Sequence, residues 1–276
     1  MRILSSAALP SVARRALSTA SIGWSSSITF ATLGTAVTTL VLVPGLNVLF
    51  TVLLGADLAA NDTVRIGCAS ALIATLSSVA AGIVARVATD RWIGVFEYVC
   101  TARPLDDGYW LGAAAVPALL ASVTGLSNVG IVWLLSLTAP STGAASGLLI
   151  GAIALMPVAV LGGVCLGIFA AGLGLYLSDP YTGSNFLSII LPVSAGVIVP
   201  VSTYPAWLAW VCSWVPGSRL VQALDTSGSI ASSTTPNFFA LLAADTALAV
   251  LYAAIGLGLT VLAARRIRAG ARASLL

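Results

Sequence analysis

Few side chains in this 276-residue sequence could do chemistry, and the missing types exclude more than the present ones allow. All twelve basic residues are arginine, and lysine and histidine are absent. A phosphate-binding loop needs its Gly-x-x-x-x-Gly-Lys lysine. A Ser-His-Asp triad or a histidine-bearing metal site needs the missing imidazole. The four cysteines, Cys68, Cys100, Cys165 and Cys212, lack C-x-x-C spacing and read as small buried hydrophobes. The chain therefore reads as a non-enzyme without cofactor or metal of its own. Any ATP and Mg would sit on a partner chain.

The polar groups inside apolar sequence are the sharper signals. Asp245 falls about two turns into an apolar run, where an ionised carboxylate costs a few kcal/mol or more unless paired or wet. Arg219 is the candidate partner, in a structural ion pair; a substrate or proton contact is the alternative for Asp245. Asn47 and Asn128 are placed to hydrogen-bond between helices or to line a pathway.

The elements that position these residues are six apolar runs, at 28–55, 64–87, 108–137, 147–177, 184–202 and 237–263. Each reaches or approaches the roughly 20 residues that match a ~30 Å hydrocarbon core. Lipid offers backbone groups no partners, so each must be helical. With only 8% of residues charged, no loop is long enough for a soluble core. The expected fold is an all-α polytopic membrane protein: a cytoplasmic segment 1–27, a six-span domain 28–264 and a basic tail 265–276. Ten arginines fall before span 1, between spans 2 and 3, or after span 6. Only Arg65 and Arg219 occupy the other loops, beside Asp57, Asp62 and Asp225. The positive-inside rule then places both termini in the cytoplasm and the chain in the cell membrane.

Segment 1–27 reads as an amphipathic helix on the inner leaflet, with Leu9, Val12, Ala13, Ala16, Leu17 and Ala20 on one face. Its serine- and arginine-rich, acid-free composition also fits an organellar transit peptide. Gly147, Gly151, Gly163 and Gly167 are spaced for close helix approach, within the bundle or across a dimer. Pro44, Pro117, Pro157 and Pro192 are expected to kink their spans.

Two segments carry the functional reading. In 88–107, Trp92, Val95, Phe96 and Val99 recur at helical spacing, against a charged set of Asp90, Arg91, Glu97 and Arg103, before Pro104 ends the helix. Such a helix lies on the membrane or docks into a partner's groove. Its Gly94-Val95-Phe96-Glu97-Tyr98-Val99, with Thr101 and Pro104, resembles the Gly-Thr-Leu-Glu-x-Leu-Leu-x-Thr-Pro signature of ABC-2 type transporter permeases. It departs by Val95 for threonine, Phe96 for leucine and about one extra residue before the proline. The resemblance implies an ATPase-coupling element comprising Trp92, Gly94, Phe96, Glu97 and Pro104.

In 200–224, prolines at 200, 205 and 216 break any single helix, and Trp207, Trp210 and Trp214 share one face. Interfacial anchoring explains the tryptophans without further function. The order Pro200, Ser202, Pro205, Trp207, Leu208, Pro216 is also similar to the element after span 5 of the same family, with Val199 in place of its aromatic residue. There the resemblance implies re-entrant helices capping the route on the outer side, with Pro200, Pro205, Trp207 and Pro216 in the extracellular gate.

Together these resemblances imply the membrane subunit of an exporter. A second permease chain, in a homo- or heterodimer, and two copies of an ABC ATPase would complete it, with lipid but no nucleic acid as further partner. An apolar, nearly uncharged bundle suits a drug, antibiotic or lipid cargo better than a polysaccharide, which stays as an alternative. A secondary transporter or channel using Asp245 is the other alternative.

Overall fold

In a computed structural model, residues 11–27, 32–57, 62–102, 107–137, 144–228 and 235–273 are described. All of their regular structure is helical. Five helical stretches are long and apolar enough to cross a membrane: Leu33–Asp57, Thr63–Trp92, Gly108–Ser136, Ala145–Gly174 and Phe238–Gly270. The protein is thus a multi-pass, membrane-embedded helical bundle. Leu9 and Pro104 lie outside the described residues.

Helix α1 (Ser11–Ser25) precedes the bundle. The first long stretch is composite: α2 (Leu33–Val37), a π-helical turn (Thr38–Leu42) and α3 (Val43–Asp57). Thr32 and Thr35 close a capping box at its start. Pro44 has no N–H and its ring opposes the carbonyl four residues back. The turn before it widens accordingly, and the Val43 N–H reaches Thr38 O, five residues back. Helices α6 (Asp107–Ser136) and α7 (Ala144–Gly174) instead run on through Pro117 and Pro157.

Helix α4 (Thr63–Trp92) is the central post. Asp62 caps its start by accepting from the Arg65 N–H, and Gly94 at φ +75° ends it in the left-handed conformation that glycine supplies freely. It packs on α7, α6, α3 and the shorter α8 (Thr182–Ser194). Small residues set these spacings. A Cβ on Gly163 would lie 2.5 Å from Leu76 O, and one on Gly167 would lie 3.0 Å from the Ala80 Cα. Gly151 is seated against Leu224 and Ser227 of α10 (Ser218–Gly228). All three glycines serve contacts within the bundle. Helix α11 (Thr235–Ala273) crosses α7 where Gly172 meets Gly256.

The fifth apolar run differs from the expected continuous helix over 184–202. Helix α8 stops at Ser194, about 20 Å of rise at 1.5 Å per residue. Gly196, at φ +70°, turns the chain, and Pro200 and Pro205 start a 3-10 helix (Val201–Thr203) and α9 (Ala206–Cys212). The segment nevertheless connects the two ends of α4. Arg91 donates to Gly174 O (2.9 Å) and Leu177 O (3.1 Å) just before α8, and Arg65 donates to Gly196 O and Val197 O just after it.

The N-terminal helix is amphipathic with a different polarity from that expected. Its small residues face α6, where Gly112 meets Ala16 and Thr19, and Gly23 meets Val116. Leu17 and Val12 point outward with Ile22 and Trp24. The side chains that seat best on a neighbouring helix are the short ones, which frees the long ones for lipid.

Candidate functional site

The two segments singled out in the sequence lie at opposite ends of α4. At the Arg91 end, the chain breaks at Ile93-Gly94 and restarts as α5 (Val95–Ala102). Because that break resets the helical phase, Trp92 and Phe96 do not share a face. Phe96 is buried, edge-on to Tyr109 at 6.4 Å, and Tyr109 stacks edge-on to Trp110 at 5.5 Å. So enclosed, Phe96 braces α5 from the bundle side. Trp92, at 88% exposure, Ile93, Val95 and Tyr98 form the exposed cluster, with Gly94 and Glu97 also exposed.

The charged set of that segment divides too. Asp90 and Arg91 are not a solvated face. Asp90 is buried and accepts from the Tyr109 hydroxyl (3.0 Å), with Arg86 3.4 Å away. Arg91 caps the C-terminus of α7, where unpaired carbonyls and the helix dipole favour a cation. From α11, the Arg268 Nε donates to Cys100 O at 2.6 Å, fixing the back of α5. Burial pushes the Cys100 thiol up, with the Arg268 charge opposing, so the thiol is unreactive near neutral pH. The product is a short helix held rigidly from behind with aromatic side chains in front.

At the Arg65 end, 200–228 forms a helical hairpin. Helix α9 leads inward, residues 213–217 turn, and α10 leads back. Gly217 at the tip lies against Ile73 and Leu76, about 12–16 Å along α4 from Arg65. Its φ of +101° disfavours any side chain. Three bonds from α11 hold the tip: Asp245 accepts the Gly217 N–H (3.0 and 3.3 Å), the Tyr252 hydroxyl donates to Trp214 O (3.1 Å), and Arg219 donates to Ala244 O (3.3 Å).

Asp245 and Arg219 are therefore neighbours, and the carboxylate serves the backbone at the start of α10. Asp245→Leu removes that acceptor and should raise hydrogen exchange of 213–220 by at least tenfold, whereas Asp245→Asn, which keeps one acceptor oxygen, should change it less than threefold.

The mouth of the hairpin is closed by a four-bond node that sequence reading missed. Arg65 Nε and Nη2 grip both carboxylate oxygens of Asp225 at 2.7 and 3.0 Å, and the guanidinium also donates to Gly196 O and Val197 O. It ties the start of α4 to the turn after α8 and to α10. Partners 160 residues apart leave no local signal.

Pro200 and Pro205 start their short helices, Pro216 is buried beside the tip, and Trp207, Trp210 and Trp214 are exposed together, with the last two edge-on at 6.1 Å. Burial also raises the Tyr204 phenol and the Cys212 thiol. Asn128 is fully buried between helices and neither end of its amide has a partner, whereas Asn47 is exposed on α3. The four cysteines are free, and no metal-binding group occurs among the described residues. Compared with known proteins, the chain matches no family model and no curated relative.

Proposed function

We propose that this chain is the membrane permease subunit of an ATP-driven exporter of the ABC-2 type, working as a dimer of permease chains on two separate ATPase subunits. The observation that carries the reading is the braced helix α5 with Trp92 and Tyr98 exposed in front of it. A force transmitter has to be stiff behind and sticky in front, and Phe96, Tyr109 and Arg268 supply the stiffness. Trp92, Gly94 and Glu97 then form the ATPase contact.

Six crossings follow if α8 and the turn after it count as the fifth, since that segment joins the two ends of α4. With the arginine-rich end in the cytoplasm of the cell membrane, both termini are inside and the hairpin caps the outer side. The hairpin tip depends on α11, so a tilt of α11 moves the cap. ATP binding at the partner must favour one of these arrangements over the other for the cycle to run. The apolar bundle suits a hydrophobic or amphipathic cargo. Asp245, engaged by Gly217, is better suited to holding the cap than to carrying an ion.

The test is purification from native membranes in mild detergent with ATPase activity measured in the eluate. Wild type is expected to bring down an ATPase, and Glu97→Arg to lose at least about 90% of it, as a reversed charge in a contact costs a few kcal/mol. Retention of the ATPase by both, or by neither, overturns this reading.

A further inference from the structure

Below Pro44 the first long stretch keeps its contact with α6 but draws away from α4. Above it, contact is close: a Cβ on Gly45 or on Gly55 would lie 2.5 Å from the Ile131 or Ile66 Cδ1. At the level of the π-helical turn the helix no longer fills the groove between α4 and α6. A cleft of about 720 Å³ results, bounded by Thr39, Leu40 and Pro44 on one side and closed at the Arg91 end by α1. That volume lies within the ~300–1,000 Å³ of ligand sites.

The cleft is amphipathic along its length. Gly82, Val116, Pro117 and Leu120 line its apolar part. At the α1 end stand the hydroxyls of Ser26, Ser27 and Thr89 around Arg86, which with Asp90 makes up the charge among the described residues of the lining. Arg86 is poorly satisfied by its own protein. One terminal nitrogen sits 3.4 Å from Asp90, the other donates to Ser26 at 3.3 Å, and the buried Nε–H has no acceptor. Asp90 is the better served of the two, since Tyr109 also donates to it. The side chain keeps 19% of its surface exposed, and terminal nitrogens with only one long contact each, at the mouth of an apolar slot, call for an anionic oxygen carried on a hydrocarbon chain.

We propose that this cleft is a binding site for a single-chain amphiphile with an anionic headgroup. The acyl chain lies along Gly82, Pro117 and Leu120, and the headgroup phosphate accepts from Arg86 and from Ser26 or Thr89. The bilayer supplies such molecules sideways, past the splayed helix. Because α1 closes the cleft, an occupant also clamps α1 to the bundle. The site requires only that the chain lies in a membrane, so it stands or falls independently of the exporter reading.

Native mass spectrometry of the full chain released from micelles, titrated with lysophosphatidylglycerol or with monoacylglycerol of the same chain length, tests it. The expected result is one tightly held lysophosphatidylglycerol per chain, bound at least about tenfold more tightly than the uncharged lipid. Arg86→Gln should remove the preference, and Leu120→Trp, which fills the slot and leaves the Arg86–Asp90 pair in place, should weaken both lipids about tenfold or more. Equal binding of the two lipids by wild type, or unchanged binding by a correctly folded Leu120→Trp protein, overturns the proposal.

Discussion

Arg65→Ala should detach the hairpin from the bundle. The side chain is 12% exposed and makes charge-assisted bonds to both oxygens of Asp225, besides two to the carbonyls of the turn after α8. Removing one partner of a buried pair costs about 3–5 kcal/mol. Asp225 retains 35% exposure and regains water, which brings the expected cost to about 2–3 kcal/mol. The loss is local in its first effect: hydrogen exchange should rise in 195–200 and 218–228 before it rises in the buried middle of α4. Asp225→Asn should give a smaller effect of the same pattern. Arg65→Lys keeps the charge but not the fork and should fall between the two. Uniform destabilisation of all helices, or none, would remove the node from its assigned role.

A second large effect is expected from Gly256→Leu. A Cβ at that position would stand 2.5 Å from the Phe169 Cα and 2.7 Å from Ile168 O, and these are backbone atoms that have no rotamer to move. Overpacking of a core costs about 1–3 kcal/mol even where side chains can shift; here α7 and α11 must separate. That separation also pulls Tyr252 from Phe169, its edge-on neighbour at 5.0 Å, and from Trp214 O at the hairpin tip. The protein should fail to accumulate as a monodisperse species in detergent. Gly258→Leu, two residues on, meets nothing within 4 Å and should behave as wild type. If both variants behave alike, the α7–α11 contact is not close in the membrane.

The architecture was legible where it depends on solvent alone. Long uncharged runs have one solution in lipid, and five of the six runs are found as long helices, the last of them running on past its expected end at 263 to Gly270. Proline and tryptophan spacing likewise gave the broken helices of 200–216, because proline acts on its own backbone. What was not legible depends on phase and on distant partners. Drawing one helix through 92–99 put Phe96 beside Trp92; the left-handed Gly94 rotates the following residues and turns Phe96 inward. The stop at Ser194 follows from the turn at Gly196, whose carbonyl is held by an arginine 131 residues away. Asp245 was legible as a buried polar group needing a partner, but the partner is a backbone amide, which has no residue-type signal. Asn128 is a buried amide without a hydrogen-bond partner.

The reading of α5 as the docking element for an ATPase is tested most directly by placing a photo-crosslinking amino acid at Tyr98, 74% exposed, and irradiating native membranes. The expected product is a covalent adduct with a nucleotide-binding subunit, absent when the crosslinker replaces buried Leu72 in α4. Adducts only with lipid, or the same pattern from both positions, would contradict it.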